Sequence, residues 1–154
     1  MSSSLEALGL LIKKVQHRHH RALDARLGSL GISLVQWNAL REIDRNPGSS
    51  QLRLAELTFN SAQAFGTLTT RLLRMGWVER RPGEGRATVH ALTPKGKTLL
   101  RQGQELYLEV LFTSFAPLDE DERAVLMRLL TKMLDAELPV GPEARGTSRG
   151  ARSS

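Results

Sequence analysis

The strongest constraint on the fold is a stretch in the middle of the chain, where an amphipathic helix runs directly into a glycine and a β-hairpin. Four apolar residues at intervals of three and four predict the buried face of a helix over residues 61–74: Phe65, Leu68, Leu72 and Met75. Gly76 is a natural helix end. Two short strands are predicted after it, at residues 77–81 and 87–92, and the Gly- and Pro-rich segment between them favours a tight hairpin.

Helical patterns also flank this stretch on both sides. The predicted helices lie at about residues 5–28, 33–46, 52–58, 61–74, 93–115 and 119–137. From Pro139 onward Gly, Arg, Ser and Pro dominate, so we expect a disordered tail over residues 138–154 behind a single domain over residues 1–137. This order of elements predicts a mainly α fold with a small β-hairpin wing, a winged helix-turn-helix whose second motif helix enters the DNA major groove.

Charge is distributed unevenly along the chain. The 154 residues include 22 lysines and arginines and 16 aspartates and glutamates, which is a net charge of +6. Residues 71–97 hold seven basic and two acidic side chains, whereas residues 118–138 hold three basic and six acidic ones. A basic block beside an acidic one suggests that one face meets a polyanion. Charge alone is equally consistent with an ordinary solvated surface.

Several classes of protein are excluded or disfavoured. The sequence contains no cysteine, which excludes a disulfide scaffold, a thiol nucleophile and a cysteine–zinc cluster. It has no phosphate-binding Gly-rich loop or nucleophile elbow, so we expect neither an enzyme nor a cofactor. Apolar runs near the start are too short to span a membrane and nothing resembles a signal peptide, so a cytoplasmic protein is expected.

The outward side of the helix over residues 61–74 has an unusual composition. Its residues are small, polar or basic: Gln63, Ala64, Thr67, Thr70, Arg71 and Arg74. A helix side that is merely solvated more often holds Glu and Lys. Small hydroxyl and amide groups together with arginines suit close approach to base edges and phosphates. This side therefore predicts a DNA-reading surface.

Three short sequence signatures surround that helix. LAEL precedes it, GWVERR follows it, and LTPKG comes after the hairpin. The segment resembles the DNA-binding core of the MarR family of bacterial transcriptional regulators, densely over residues 52–100 and in helix order over residues 5–137. The wing departs from the family pattern, because Glu84-Gly85-Arg86 stands where an Asp-x-Arg element is usual and the hairpin is shorter.

The resemblance implies a homodimer that binds double-stranded DNA at a near-palindromic operator, typically as a repressor. Residues 5–30 and 94–137 would then form the dimerisation helices and residues 33–92 the DNA-binding lobe. The apolar stripes of these outer helices independently support a dimer, because a monomer would expose them. The expected DNA contacts are Ser61, Gln63, Ala64, Thr67, Arg71 and Arg74 on the recognition helix and Arg86 on the wing.

Many members of the family sense a small, often aromatic or phenolic, anion. An aromatic and cationic set near the first two helices is the candidate ligand site: His19, His20, Trp37 and Arg41. Trp37 and His19 are equally consistent with core or interface positions. His17 and His20 lie on one helix face, but two histidines make an incomplete zinc site, so no metal is expected. The alternative to specific regulation is a winged-helix architectural or protein-interaction module that binds DNA with little sequence preference.

Overall fold

The computed structural model describes residues 2–85 and 87–138. Within them, six helices and one antiparallel sheet follow one another in the predicted order. The helices are α1 (Ser2–Gly28), α2 (Leu34–Arg45), α3 (Gln51–Leu57), α4 (Ala62–Arg74), α5 (Pro94–Phe115) and α6 (Glu120–Leu134), and the strands are β1 (Val78–Pro82) and β2 (Thr88–Leu92). The chain divides into two compact units, Met1–Ser114 and Phe115–Ser154. In the described part of the chain, no helix combines the length and the apolarity that crossing a membrane requires.

Local capping explains where two of these helices begin. At α2, the Gln36 amide donates to the Ser33 hydroxyl at 3.1 Å, and the Ser33 amide donates to the Gln36 side chain at 2.9 Å. Asp119 and Glu122 form the same reciprocal pair at the start of α6, at 2.8 and 2.9 Å. Each pair satisfies two backbone N–H groups that a helix start leaves unpaired. Both helices thus start where the sequence predicted, since the predicted ranges begin at residues 33 and 119.

The core of the first unit is built where α1 ends and where α2, α3 and α4 meet. Its largest fully buried side chains are Leu27, Ile32, Trp37, Leu40, Leu54, Phe65 and Leu72. Trp77, Val78 and Leu92 extend this core into the base of the hairpin, where Val78 pairs with Leu92. The hairpin is therefore anchored to the core by its base.

The predicted buried face of α4 was wrong at one residue. Phe65, Leu68 and Leu72 are buried, but Met75 is 41% exposed. Met75 is the C-cap, since α4 ends at Arg74 and the chain turns at Gly76 with a positive φ of 73°. Because α4 ends one residue before Met75, the helical spacing no longer directs the Met75 side chain toward the core.

Candidate nucleic-acid interface

The orientation of α4 follows from its buried side and its cap. Phe65, Leu68 and Leu72 pack into the core, which turns the opposite side of the helix outward. The Ser61 hydroxyl accepts the Ala64 amide at 3.1 Å and so begins the helix at a defined residue. The outward side is thus held on a rigid element rather than on a loop.

Five predicted DNA-contact residues meet on that outward side. They line an open concavity of about 410 Å³ together with Leu68: Ser61, Gln63, Ala64, Thr67 and Arg71. Arg74 is exposed on the same helix but does not line the concavity. Arg86 lies outside the described residues. Contact of these residues with DNA stays a prediction.

The polar side chains on the outward side of α4, inside the concavity and beside it, differ in the hydrogen bonds that they already form. The Thr67 hydroxyl donates to the Gln63 carbonyl at 3.2 Å, and the Thr70 hydroxyl donates to the Gly66 carbonyl at 2.9 Å. No described residue forms a hydrogen bond with the side-chain amide of Gln63 or an ion pair with Arg71. The amide and the guanidinium are therefore available to an external partner.

The hairpin carries less free positive charge than its sequence suggests. Arg81 donates to Glu79 through Nε at 2.7 Å and through Nη2 at 2.5 Å, so this pair is neutral. Arg80 lies opposite His90 in the sheet and has no ion pair with a described residue. Burial, and next the nearby Arg80 guanidinium, lower the pKa of His90 from its ordinary value. The Arg81–Glu79 ion pair was not predicted from the sequence. Side chains two residues apart lie on one face of a strand, so this spacing could have indicated it.

A second concavity lies between α1 and α5 within the first unit. Its volume is about 510 Å³, and its lining residues are Arg18, His19, Ala22, Ala25, Arg26, Glu109, Val110, Thr113 and Ser114. His19 Nε2 lies 2.5 Å from the Ser114 hydroxyl oxygen, and Arg26 forms an ion pair with Glu109. We call this concavity the α1–α5 cleft. Arg26 was not among the residues predicted to bind a ligand. It follows His19 and Ala22 at helical spacing, which places the three residues on one side of α1.

The structure separates the four residues predicted to bind a ligand. His19 lines the α1–α5 cleft, whereas His20 is exposed on α1 and does not line it. Trp37 is fully buried and stacks on Tyr107 with ring centroids 4.8 Å apart. The Arg41 guanidinium lies 5.1 Å from the Trp37 ring centroid and donates to Glu42 at 3.1 Å. Trp37 and Arg41 therefore belong to the packing between α2 and α5, and ligand binding by any of the four stays a prediction.

Sequence comparison gives this architecture a family. The sequence profile described as MarR family matches residues 30–87. The chain is 31% identical over 134 residues to the Multiple antibiotic resistance protein MarR of Salmonella typhimurium, which covers 82% of this chain and 90% of that protein. The chain belongs to the MarR family. Members of the MarR family are transcription regulators rather than enzymes.

Solved MarR-family structures confirm the winged helix-turn-helix fold. A cysteine-to-serine mutant of MarR from Escherichia coli, complexed with operator DNA, matches 87% of this chain and 98% of its own at a TM-score of 0.76 and 28% identity. The MarR-family protein Rv2887 of Mycobacterium tuberculosis, complexed with p-aminosalicylic acid, matches 83% of this chain and 98% of its own at a TM-score of 0.70 and 26% identity. Rv2887 is named an HTH-type transcriptional repressor and is 27% identical to this chain over 128 residues.

Proposed function

We propose that this MarR-family regulator is a homodimeric repressor that binds a near-palindromic DNA operator and is released by a small aromatic anion. The observation that carries the proposal is the concavity on α4, which brings together five side chains suited to DNA. The operator complex of the Escherichia coli relative supports the same use of this fold.

The chemistry of the concavity assigns a role to each group. The free amide of Gln63 can pair bidentately with adenine, and Arg71 can bind guanine or phosphate. Ser61 stands at the N-terminus of α4, where backbone N–H groups favour a phosphate. Arg74 and, on the wing, Arg86 supply further positive charge for the DNA backbone.

A second copy of the chain accounts for apolar surface that the structure leaves exposed. In the first unit, the N-terminal half of α1 exposes Leu5, Leu8, Leu11 and Val15 by 50–70%. In the second unit, none of the residues of α6 is buried. Its apolar side chains Met127 and Leu134 are 70% and 85% exposed. Apolar patches of this kind mark association surfaces, and a two-fold dimer would present two recognition helices to successive major grooves.

The α1–α5 cleft is the proposed effector site. Arg18 lines it without an ion pair to a described residue, whereas Arg26 is neutralised by Glu109. A cation beside the polar His19–Ser114 pair and the apolar Val110 suits an aromatic carboxylate. Trp37 has no exposed surface for a ligand, so here it and Arg41 support the packing of α5. The Rv2887 complex with p-aminosalicylic acid supports this ligand class.

The DNA-binding proposal is tested by fluorescence anisotropy on a duplex from the gene's own upstream region and on a shuffled duplex, across a salt series. We expect a preference of about 10³ or more, the range of specific regulators. Gln63→Ala should reduce the preference, and Arg71→Ala should weaken binding and lower the salt slope by about one. Arg101→Ala removes an exposed α5 cation outside the concavity and is the matched control. Equal binding to both duplexes with a steep salt slope would favour the architectural alternative.

The effector proposal is tested by adding salicylate to the protein–operator complex. Salicylate should release the duplex and raise the melting temperature of the free protein, since a ligand of the native state stabilises it. Arg18→Gln should weaken both effects, whereas Lys13→Gln, which removes an α1 cation outside the cleft, should leave them unchanged. Identical salicylate responses in wild type and Arg18→Gln would count against this cleft.

A further inference from the structure

The hydroxyl of Thr67 already forms a hydrogen bond within α4, the proposed recognition helix. Thr67 is exposed and lines the concavity on α4, yet its Oγ1 donates its proton to the Gln63 carbonyl at 3.2 Å. The two γ substituents of threonine point in different directions, so this bond turns the hydroxyl toward the helix and leaves the methyl group to the outside. Ala64, one helical turn before Thr67, adds a second methyl group to the same concavity.

Methyl groups therefore stand in the concavity between two hydrogen-bonding side chains. The side-chain amide of Gln63 lies on one side of them and the Arg71 guanidinium on the other, and neither side chain has a hydrogen bond or ion pair with a described residue. In the major groove, thymine is the base that presents a C5-methyl group, and it is recognised by apolar contact with alanine and with the threonine methyl. The chemistry of the helix centre thus matches thymine rather than a hydrogen-bonding base edge.

We infer that Thr67, assisted by Ala64, selects thymine in each operator half-site through apolar contact with its C5-methyl group. The inference rests on the proposed function, because it concerns the same DNA-reading surface. It also predicts an A·T pair beneath the centre of α4, a position that the Gln63 amide can read from the adenine side.

The experiment compares thymine with deoxyuridine, which differs only by the missing methyl group. A preferred duplex is first selected from a randomised library with the full-length protein, and each thymine of one half-site is then replaced singly by deoxyuridine. Wild-type affinity should fall about fourfold at one position, the effect of losing one methyl group that the contact removes from water. Thr67→Val keeps a methyl group and should retain this discrimination, whereas Thr67→Ser keeps the hydroxyl and should lose it.

Thr70→Ser is the matched control for this comparison. Thr70 is exposed on the same helix and donates to the Gly66 carbonyl at 2.9 Å, but it does not line the concavity. Its variant should discriminate thymine from deoxyuridine as the wild type does. Circular dichroism melting of all three variants checks that the helix is intact.

The outcomes separate this inference from the function on which it rests. A selected operator whose binding is unaffected by deoxyuridine at every position would overturn thymine selection and leave specific DNA binding standing. Discrimination that Thr67→Ser keeps and Thr67→Val loses would show hydroxyl readout and would also overturn it. If no sequence is enriched from the library, both the inference and specific regulation fail.

Discussion

Replacing Gly96 by alanine should loosen the joint between the hairpin and α5. A Cβ atom at this position would lie 2.0 Å from the Trp77 carbonyl oxygen and 3.0 Å from the carbonyl carbon. That carbonyl cannot move easily, because it accepts the Thr93 amide at 3.1 Å at the base of the hairpin. The Thr93 hydroxyl in turn donates to the Gly76 carbonyl at 2.6 Å. Relief of the clash therefore requires the start of α5 to move away from β1.

Two opposing effects determine the size of the change. Helix propensity alone would favour alanine over glycine by about 1 kcal/mol. Overpacking a closely packed site costs about 1–3 kcal/mol, and more where backbone must shift. With a contact more than 1 Å inside the normal distance to a backbone oxygen, we expect a net loss of about 2 kcal/mol. For a chain of 154 residues this corresponds to a melting temperature lower by about 4–8 °C.

The assay is thermal unfolding at one fixed protein concentration, because the melting temperature of an oligomer depends on concentration. Gly28→Ala is the control, since a Cβ atom on this α1 residue would meet no atom within 4 Å. Its melting temperature should stay the same or rise slightly. A Gly96→Ala protein as stable as the wild type would refute the reasoning, because α5 would then be free to shift at no cost.

Three further predictions concern other parts of the molecule. Phe59 is 97% exposed and has a positive φ of 58°, a conformation that is unfavourable for L-residues. Phe59→Gly should therefore raise the free energy of unfolding by about 1 kcal/mol. A lower urea midpoint would contradict this expectation. The pKa of His90 is lowered, which means that the native state favours the neutral imidazole ring. The contribution of His90 to the free energy of unfolding should therefore be complete above its ordinary pKa of 6.5 and decrease as the pH falls below that value. His90→Gln should make the melting temperature less dependent on pH as the pH falls below 6.5, and an unchanged dependence would exclude this role. Leu8→Glu places a charge on the exposed apolar stripe of α1 and should shift the sedimentation coefficient from dimer to monomer; an unaltered dimer would remove this stripe from the interface.

Prediction from sequence worked best where the signal was short-range and the partner residue was close. The helix α4 illustrates this, because the spacing of its apolar residues put Gln63, Ala64, Thr67 and Arg71 on its outward side and the structure places these four in one concavity. It failed at Met75, whose place in the helical repeat was right but whose position at the C-cap leaves it exposed. The spacing of apolar residues does not show at which helical turn the apolar side of a helix stops packing against the core.

The sequence by itself determined the helices and the order that defines a winged helix-turn-helix, together with the starts of the helices that a capping residue marks. Caps such as Ser33 with Gln36 act over three residues, and the spacing of apolar residues needs only helix geometry. The tertiary structure alone decided that Trp37 stacks on Tyr107 and that His19 meets Ser114, 95 residues away. Such contacts depend on how whole elements pack, and no pattern within a few residues of the chain encodes the distance between two helices.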